Sequence, residues 1–118
     1  MNNLEQFFAS VGGNAQEVLG RLGGDPGLVI HFLLKFQNDG SYQSLCDALN
    51  ADDTPTAFRA AHTLKGLCAT LGLQNLFVQS SNVTEMLRGG DIASAKEALP
   101  DVQKEYETTV EALKRLNG

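Results

Sequence analysis

Apolar residues recur every three or four positions along most of the chain, and Gly, Asn, Asp and Pro break the pattern at intervals. That period is helical, and the strict alternation of a half-buried strand is absent. "NNLEQFFAS" predicts a short first helix, ended by Gly12 and Gly13. "NAQEVLGRLGG" offers Asn14 as an N-cap, Glu17 three residues on, and Gly23 with Gly24 as a stop. "DPGLVIHFLLKFQ" opens with an Asp25 cap and Pro26 at the first helical position, then places Val29, Phe32, Leu33 and Phe36 at helical spacing. The same helix is expected to continue through "SYQSLCDALN", weakened by Gly40.

"DDTPTAFRAAHTLKGLCATLG" repeats this grammar, with Thr54 as the expected cap, Pro55 next and Gly72 as terminator. "LQNLFVQSSNVTEMLRGG" follows almost without a linker and stops at Gly89 and Gly90. The last segment starts from an Asp91 cap, and Pro100 should kink it or divide it in two. Four longer helices with short connections predict an all-α fold, an antiparallel up-down four-helix bundle with short N-terminal flanking helices. The bundle helices are expected near residues 26–49, 55–71, 74–88 and 92–116, within one domain covering residues 1–118.

Composition narrows the function classes. A chain of 118 residues with 42% hydrophobic and 19% charged residues can bury one core without covalent staples. A net charge of -5 argues against nucleic acid or an anionic membrane surface as partner. No apolar run approaches the roughly 20 residues that cross a bilayer, and "MNNLEQFFAS" lacks the features of a signal peptide. A cytoplasmic monomer is expected. Cys46 and Cys68 fit no zinc spacing and read as buried free thiols. No metal and no cofactor is expected.

Chemistry concentrates in "AAHTLKGLCATLGL". On a helical wheel at about 100° per residue, Ala57, Ala61, Leu64, Cys68 and Leu71 share one arc, the core face. His62 falls opposite, with Phe58, Arg59, Lys65, Gly66 and Ala69 around it. Neutral imidazole carries an unprotonated nitrogen near neutral pH, which is what a nucleophile needs. A phosphoryl group accepted there finds Lys65 one turn away. Gly66 is unfavourable in a helix interior by about 1 kcal/mol relative to alanine, and a gap there lets a partner backbone come close. On spacing alone, a solvated histidine with no role fits the same residues. No carboxylate or cysteine stands at triad or metal spacing from His62, and His31 in "VIHFLLK" reads as incidental.

The pattern of His62, Lys65, Gly66 and Gly72 closely resembles the signature of histidine-containing phosphotransfer (HPt) domains: histidine, two residues, lysine-glycine, then a glycine ten residues after the histidine. "RLGGDPGLVIHFLLKF" is similar to the family's lead-in and the segment from "VTEMLRGG" onward to its closing helices. The resemblance implies a bundle whose exposed His62 accepts a phosphoryl group from a receiver-domain aspartate and passes it to another. The receiver of a response regulator and a hybrid sensor histidine kinase are the implied partners, and the receiver supplies Mg²⁺. "GGDPG" has neither the spacing nor the lysine of a phosphate-binding loop, so a phosphocarrier without an ATP site is expected.

Family members often carry a glutamine on the next helix that reaches the histidine. Thr84 stands there instead, and its hydroxyl is expected to donate a similar bond. Leu67 stands where a small residue is common. Gly66, Ala69, Phe58 and Arg59 are expected to meet the partner. So are Leu4, Phe7 and Phe8, because family members dock through their first helices. Two other functions share the motif: the phosphoacceptor domain of a chemotaxis-type kinase, and a helical interaction module with a vestigial site. The ending "KRLNG", without a long linker, favours a free-standing carrier.

Overall fold

Side-chain caps fix where most of the helices begin in the computed structural model, which describes residues 2–117. Seven helices form among them: α1 (Asn3–Ser10), α2 (Ala15–Arg21), α3 (Pro26–Phe36), α4 (Ser41–Asn50), α5 (Thr54–Leu71), α6 (Gln74–Arg88) and α7 (Ile92–Asn117). No strand occurs among the described residues. Asn2, Asn14, Asp25, Asp53 and Asp91 each accept a bond from a first-turn N–H, at 2.8 to 3.2 Å. These bonds satisfy donors that a helix start otherwise leaves unpaired. The cap of α5 is Asp53, not Thr54, because Thr54 already has helical geometry and the Asp53 carboxylate reaches the Thr56 N–H.

The single helix expected near residues 26–49 is two. Residues 37–39 leave α3 through tight turn bonds to Leu34, Lys35 and Phe36 carbonyls. The Asp39 carboxylate then accepts from the Ser41 N–H at 2.9 Å and opens α4. Asn, Asp and Gly in sequence offer the backbone local bonds that compete with helix continuation, so the whole "NDG" run breaks the helix where Gly40 alone would weaken it.

The opposite outcome holds at Pro100. α7 continues through it as one helix of 26 residues, although proline removes a donor and typically costs about 3 kcal/mol in a helix interior. The ring sits on the exposed side, while Ala95, Val102, Thr109, Ala112 and Leu113 stay buried on both flanks. Burial along the whole helix outweighs the local penalty.

Helices α4, α5, α6 and α7 pack in a closed ring, α4 against α5, α5 against α6, α6 against α7, and α7 back onto α4. Leu45, Leu49, Leu64, Leu76 and Leu113 fill the space between them and are fully buried. Tyr42 of α4 stacks on Tyr106 of α7 with ring centroids 4.0 Å apart, and Phe36 of α3 tilts against the same ring. α1 lies along α7, and α3 touches both α5 and α7.

The α5–α6 turn is closed from outside by the N-terminal segment. Gly72 adopts φ +71° and lets the Leu73 N–H bond back to the Cys68 carbonyl at 3.0 Å. The Val11 carbonyl accepts from the Asn75 N–H at 3.0 Å. A Cβ on Gly72 would stand 2.4 Å from Val18 Cγ2, a fully buried atom group of α2.

Two consequences can be measured. Gly72→Ala should lower stability by about 1–3 kcal/mol in urea unfolding, from the left-handed backbone and the Val18 clash together. An unchanged midpoint would contradict this packing. Hydrogen bonds from Thr56 to Asp53 and from Ser94 to Asp91 hold both carboxyls below their usual value. Depressed native values mean that this stability is present above the ordinary carboxylate range, about pH 4, and is lost as pH falls through the native values. The double variant Asp53→Asn, Asp91→Asn keeps capping groups that do not titrate. Its melting temperature should therefore fall less than wild type between about pH 5 and pH 2.

Candidate functional site

The buried stripe of α5 decides what the helix shows to solvent. Ala57, Ala60, Ala61, Leu64, Cys68 and Leu71 face the core, as the wheel predicts. His62, Gly66, Ala69 and Thr70 are exposed on the other side, with Lys65 half-buried beside them. Lys65 and Gly66 lie about 4.5 and 6 Å along the axis from His62, one turn away. Among the described residues nothing outside the helix's own backbone and the two chain neighbours stands within 4 Å of where a Gly66 side chain would begin, so the surface there is open. The Thr70 hydroxyl folds back and donates to the Gly66 carbonyl at 3.1 Å.

Among the described residues neither His62 nor Lys65 forms an ion pair. The Lys65 ammonium therefore remains available to an incoming anion. Among the same residues no group of three or more His, Cys, Asp or Glu side chains could hold a metal ion. Arg59 is exposed and donates to the Thr56 hydroxyl at 3.2 Å. His31 is exposed on α3, edge-on to Phe32. Cys46 is half-buried, not fully buried, and Cys68 is buried; both are free thiols. Burial pushes the Cys68 thiol up to about 12, which leaves it without nucleophilic character near neutral pH.

Phe58 is half-buried and turns its ring toward His62, with centroids 5.9 Å apart and planes 21° from parallel. The Arg88 guanidinium, from the end of α6, lies over the Phe58 ring at 5.0 Å. Arg88 Nε also pairs with Glu85 Oε2 at 3.1 Å. Sequence reasoning missed Arg88 because it belongs to another helix. Its only local signal is a cation in a last turn, where it suits the helix dipole wherever it points.

Thr84 does not join the site. It is fully buried, and its hydroxyl donates to the Ser80 carbonyl at 2.7 Å. The helical period of α6 puts Thr84 in the inward stripe with Leu76, Ser80, Val83 and Leu87, so its single proton is committed inside the core. The expected hydroxyl substitute for the family's glutamine is thereby corrected.

Leu4, Phe7 and Phe8 are not docking edges either. They are 6%, 3% and 1% exposed, buried where α1 packs on the rest of the molecule. Their i, i+3, i+4 spacing is that of a core-facing helix stripe. Phe8 extends as far as the α5–α6 turn, where its ring stands beside Gly13 and Gly72. The exposed apolar surface near α5 belongs to α3 instead, where Phe32 borders a groove shared with Leu22, Leu67 and Thr70.

A model of the Hpt domain family matches residues 35–115. The match covers more than half of the chain and includes the whole exposed strip of α5. Comparisons with curated proteins and with solved structures gave no match. No described helix is long and apolar enough to cross a membrane.

The open space at Gly66 has a measurable consequence. Gly66→Ala should raise stability by up to about 1 kcal/mol in urea unfolding, since alanine gains helix propensity and meets no neighbour. A loss of stability would mean that the site is closed in solution.

Proposed function

The chain belongs to the Hpt domain family, whose members act in histidine phosphotransfer with receiver domains and histidine kinases, and on that premise we propose that His62 is its phosphoacceptor. The observation that carries this reading is one exposed imidazole with a lysine one turn on and an open glycine beside it, all within the matched segment. We read the ring of α4 to α7 as an antiparallel up-down bundle, flanked by α1 to α3, that holds this strip outward.

In the proposed reaction a ring nitrogen of His62 attacks the phosphorus of a receiver aspartyl phosphate. A P–N bond forms, the acyl P–O bond breaks, and the electron pair leaves with the receiver's carboxylate. Transfer onward is the reverse step, onto an aspartate of a second receiver. Lys65 offsets charge on the phosphoryl group at both stages. Gly66 and Ala69 keep the surface low so that the receiver's backbone can approach, with Arg59 at the rim. The groove beside Phe32, Leu67 and Thr70 continues this face and takes the role first expected of α1. The chain works as a phosphocarrier between a hybrid sensor kinase and a response regulator, as a monomer in the cytoplasm.

His62→Gln should abolish phosphate uptake from a phosphorylated receiver with helicity intact, while His31→Gln should leave uptake unchanged. Uptake by the His62 variant would sink the assignment. Lys65→Ala should slow transfer while changing stability by less than about 1 kcal/mol. Gly66→Gln should separate the two properties, with stability slightly raised and transfer from the receiver slowed. A Gly66→Gln chain that transfers at the original rate would show that the glycine is not there for docking.

A further inference from the structure

Resting on that reading, we infer that Phe58, clamped by Arg88, is a positioning residue that fixes the plane of the His62 ring for phosphoryl transfer. An exposed histidine on a helix can turn about two side-chain bonds, and χ2 is broad. In-line attack requires a ring nitrogen to point at phosphorus, so a freely turning ring spends most of its time misaligned. Phe58, four residues earlier, lies on the same helix face, and its ring runs nearly parallel to the imidazole, 21° off with centroids 5.9 Å apart. Aromatic groups attract in such offset arrangements.

The contact suits the chemistry because the two planes run nearly parallel, 21° apart, with the ring centroids 5.9 Å from each other. The nucleophilic lone pair of imidazole lies in the ring plane, so stacking restrains the ring and leaves its nitrogens open. Solvent exposure of His62 is kept as well.

Phe58 is held from the other side of the helix pair. The Arg88 guanidinium lies 5.0 Å from its centroid, within the range of a cation–π interaction. Glu85 in turn holds Arg88 through a 3.1 Å ion pair on α6. The imidazole is thereby referenced to α6 as well as to its own helix. The side chain of α6 that serves His62 is then Arg88 acting through Phe58, in place of the buried Thr84.

The test uses the full chain and a phosphorylated receiver domain, measuring single-turnover transfer against receiver concentration. Phe58→Leu should lower the maximal rate about three- to tenfold, and the half-saturating concentration should stay as in wild type. The His62 ring-proton resonances should move downfield as the ring current of Phe58 is lost. Phe58→Tyr should restore both the rate and the resonances, and Arg88→Ala should give part of the Phe58→Leu effect. A folded Phe58→Leu chain with the wild-type maximal rate overturns the proposal, as does a rate loss that Phe58→Tyr does not recover. A change confined to the half-saturating concentration also overturns it, because it would make Phe58 a docking contact. A wild-type chain that takes up no phosphate overturns the parent reading and this one together. Wild type labelled on His62, beside Phe58→Leu labelled equally fast, overturns this one alone.

Discussion

The helical period of α5, with one stripe sealed into the core, is the constraint on which the site depends. Ala57, Ala61 and Leu64 are fully buried, and Cys68 nearly so. Turning α5 to bring His62 inward would expose that stripe and put an imidazole and an ammonium into apolar surroundings, which are expensive places for unpaired polar groups. Three alanines on the inward face also keep it slim, so α4 and α6 can close on either side. The outward direction of His62 is therefore held by the core as a whole.

The same core explains the N-terminal helices. α1 spends Leu4, Phe7 and Phe8 on burial, and the segment after it bonds to the start of α6 through Val11 and Asn75. Gly13 and Gly72 approach so closely that a Cβ on Gly13 would stand 2.2 Å from the Gly72 carbonyl oxygen. This end of the molecule thus brackets the turn between the two helices that carry His62 and Arg88.

On the proposed reading, His62 has to be both reachable and ordered, and these demands conflict at a protein surface. The strip around His62 divides them between neighbours. In that reading Gly66 and Ala69, with little or no side chain, would give access, and Phe58 and Arg88, packed beside the imidazole, would give order. Lys65 is half-buried, so part of its stem is held while its ammonium has no carboxylate partner among the described residues.

Local rules determined much of this protein from sequence alone. Caps, terminators and the 3.6-residue period marked the helices and sorted α5 into its two faces, because these signals act within a turn or two of the chain. The same rules fell short where distant contacts entered. Pro100 is carried through because burial along all of α7 outweighs one lost donor. The break before Gly40 combines the turn bonds of residues 37–39 with the Asp39 carboxylate accepting from the Ser41 N–H, one of several outcomes open to that composition. Thr84 and the aromatic residues of α1 were misplaced because a resemblance fixes positions along the chain, whereas burial depends on which helix faces which. Arg88 came to Phe58 only through the packing of α6 against α5, a contact between residues 30 apart in sequence that no local pattern encodes.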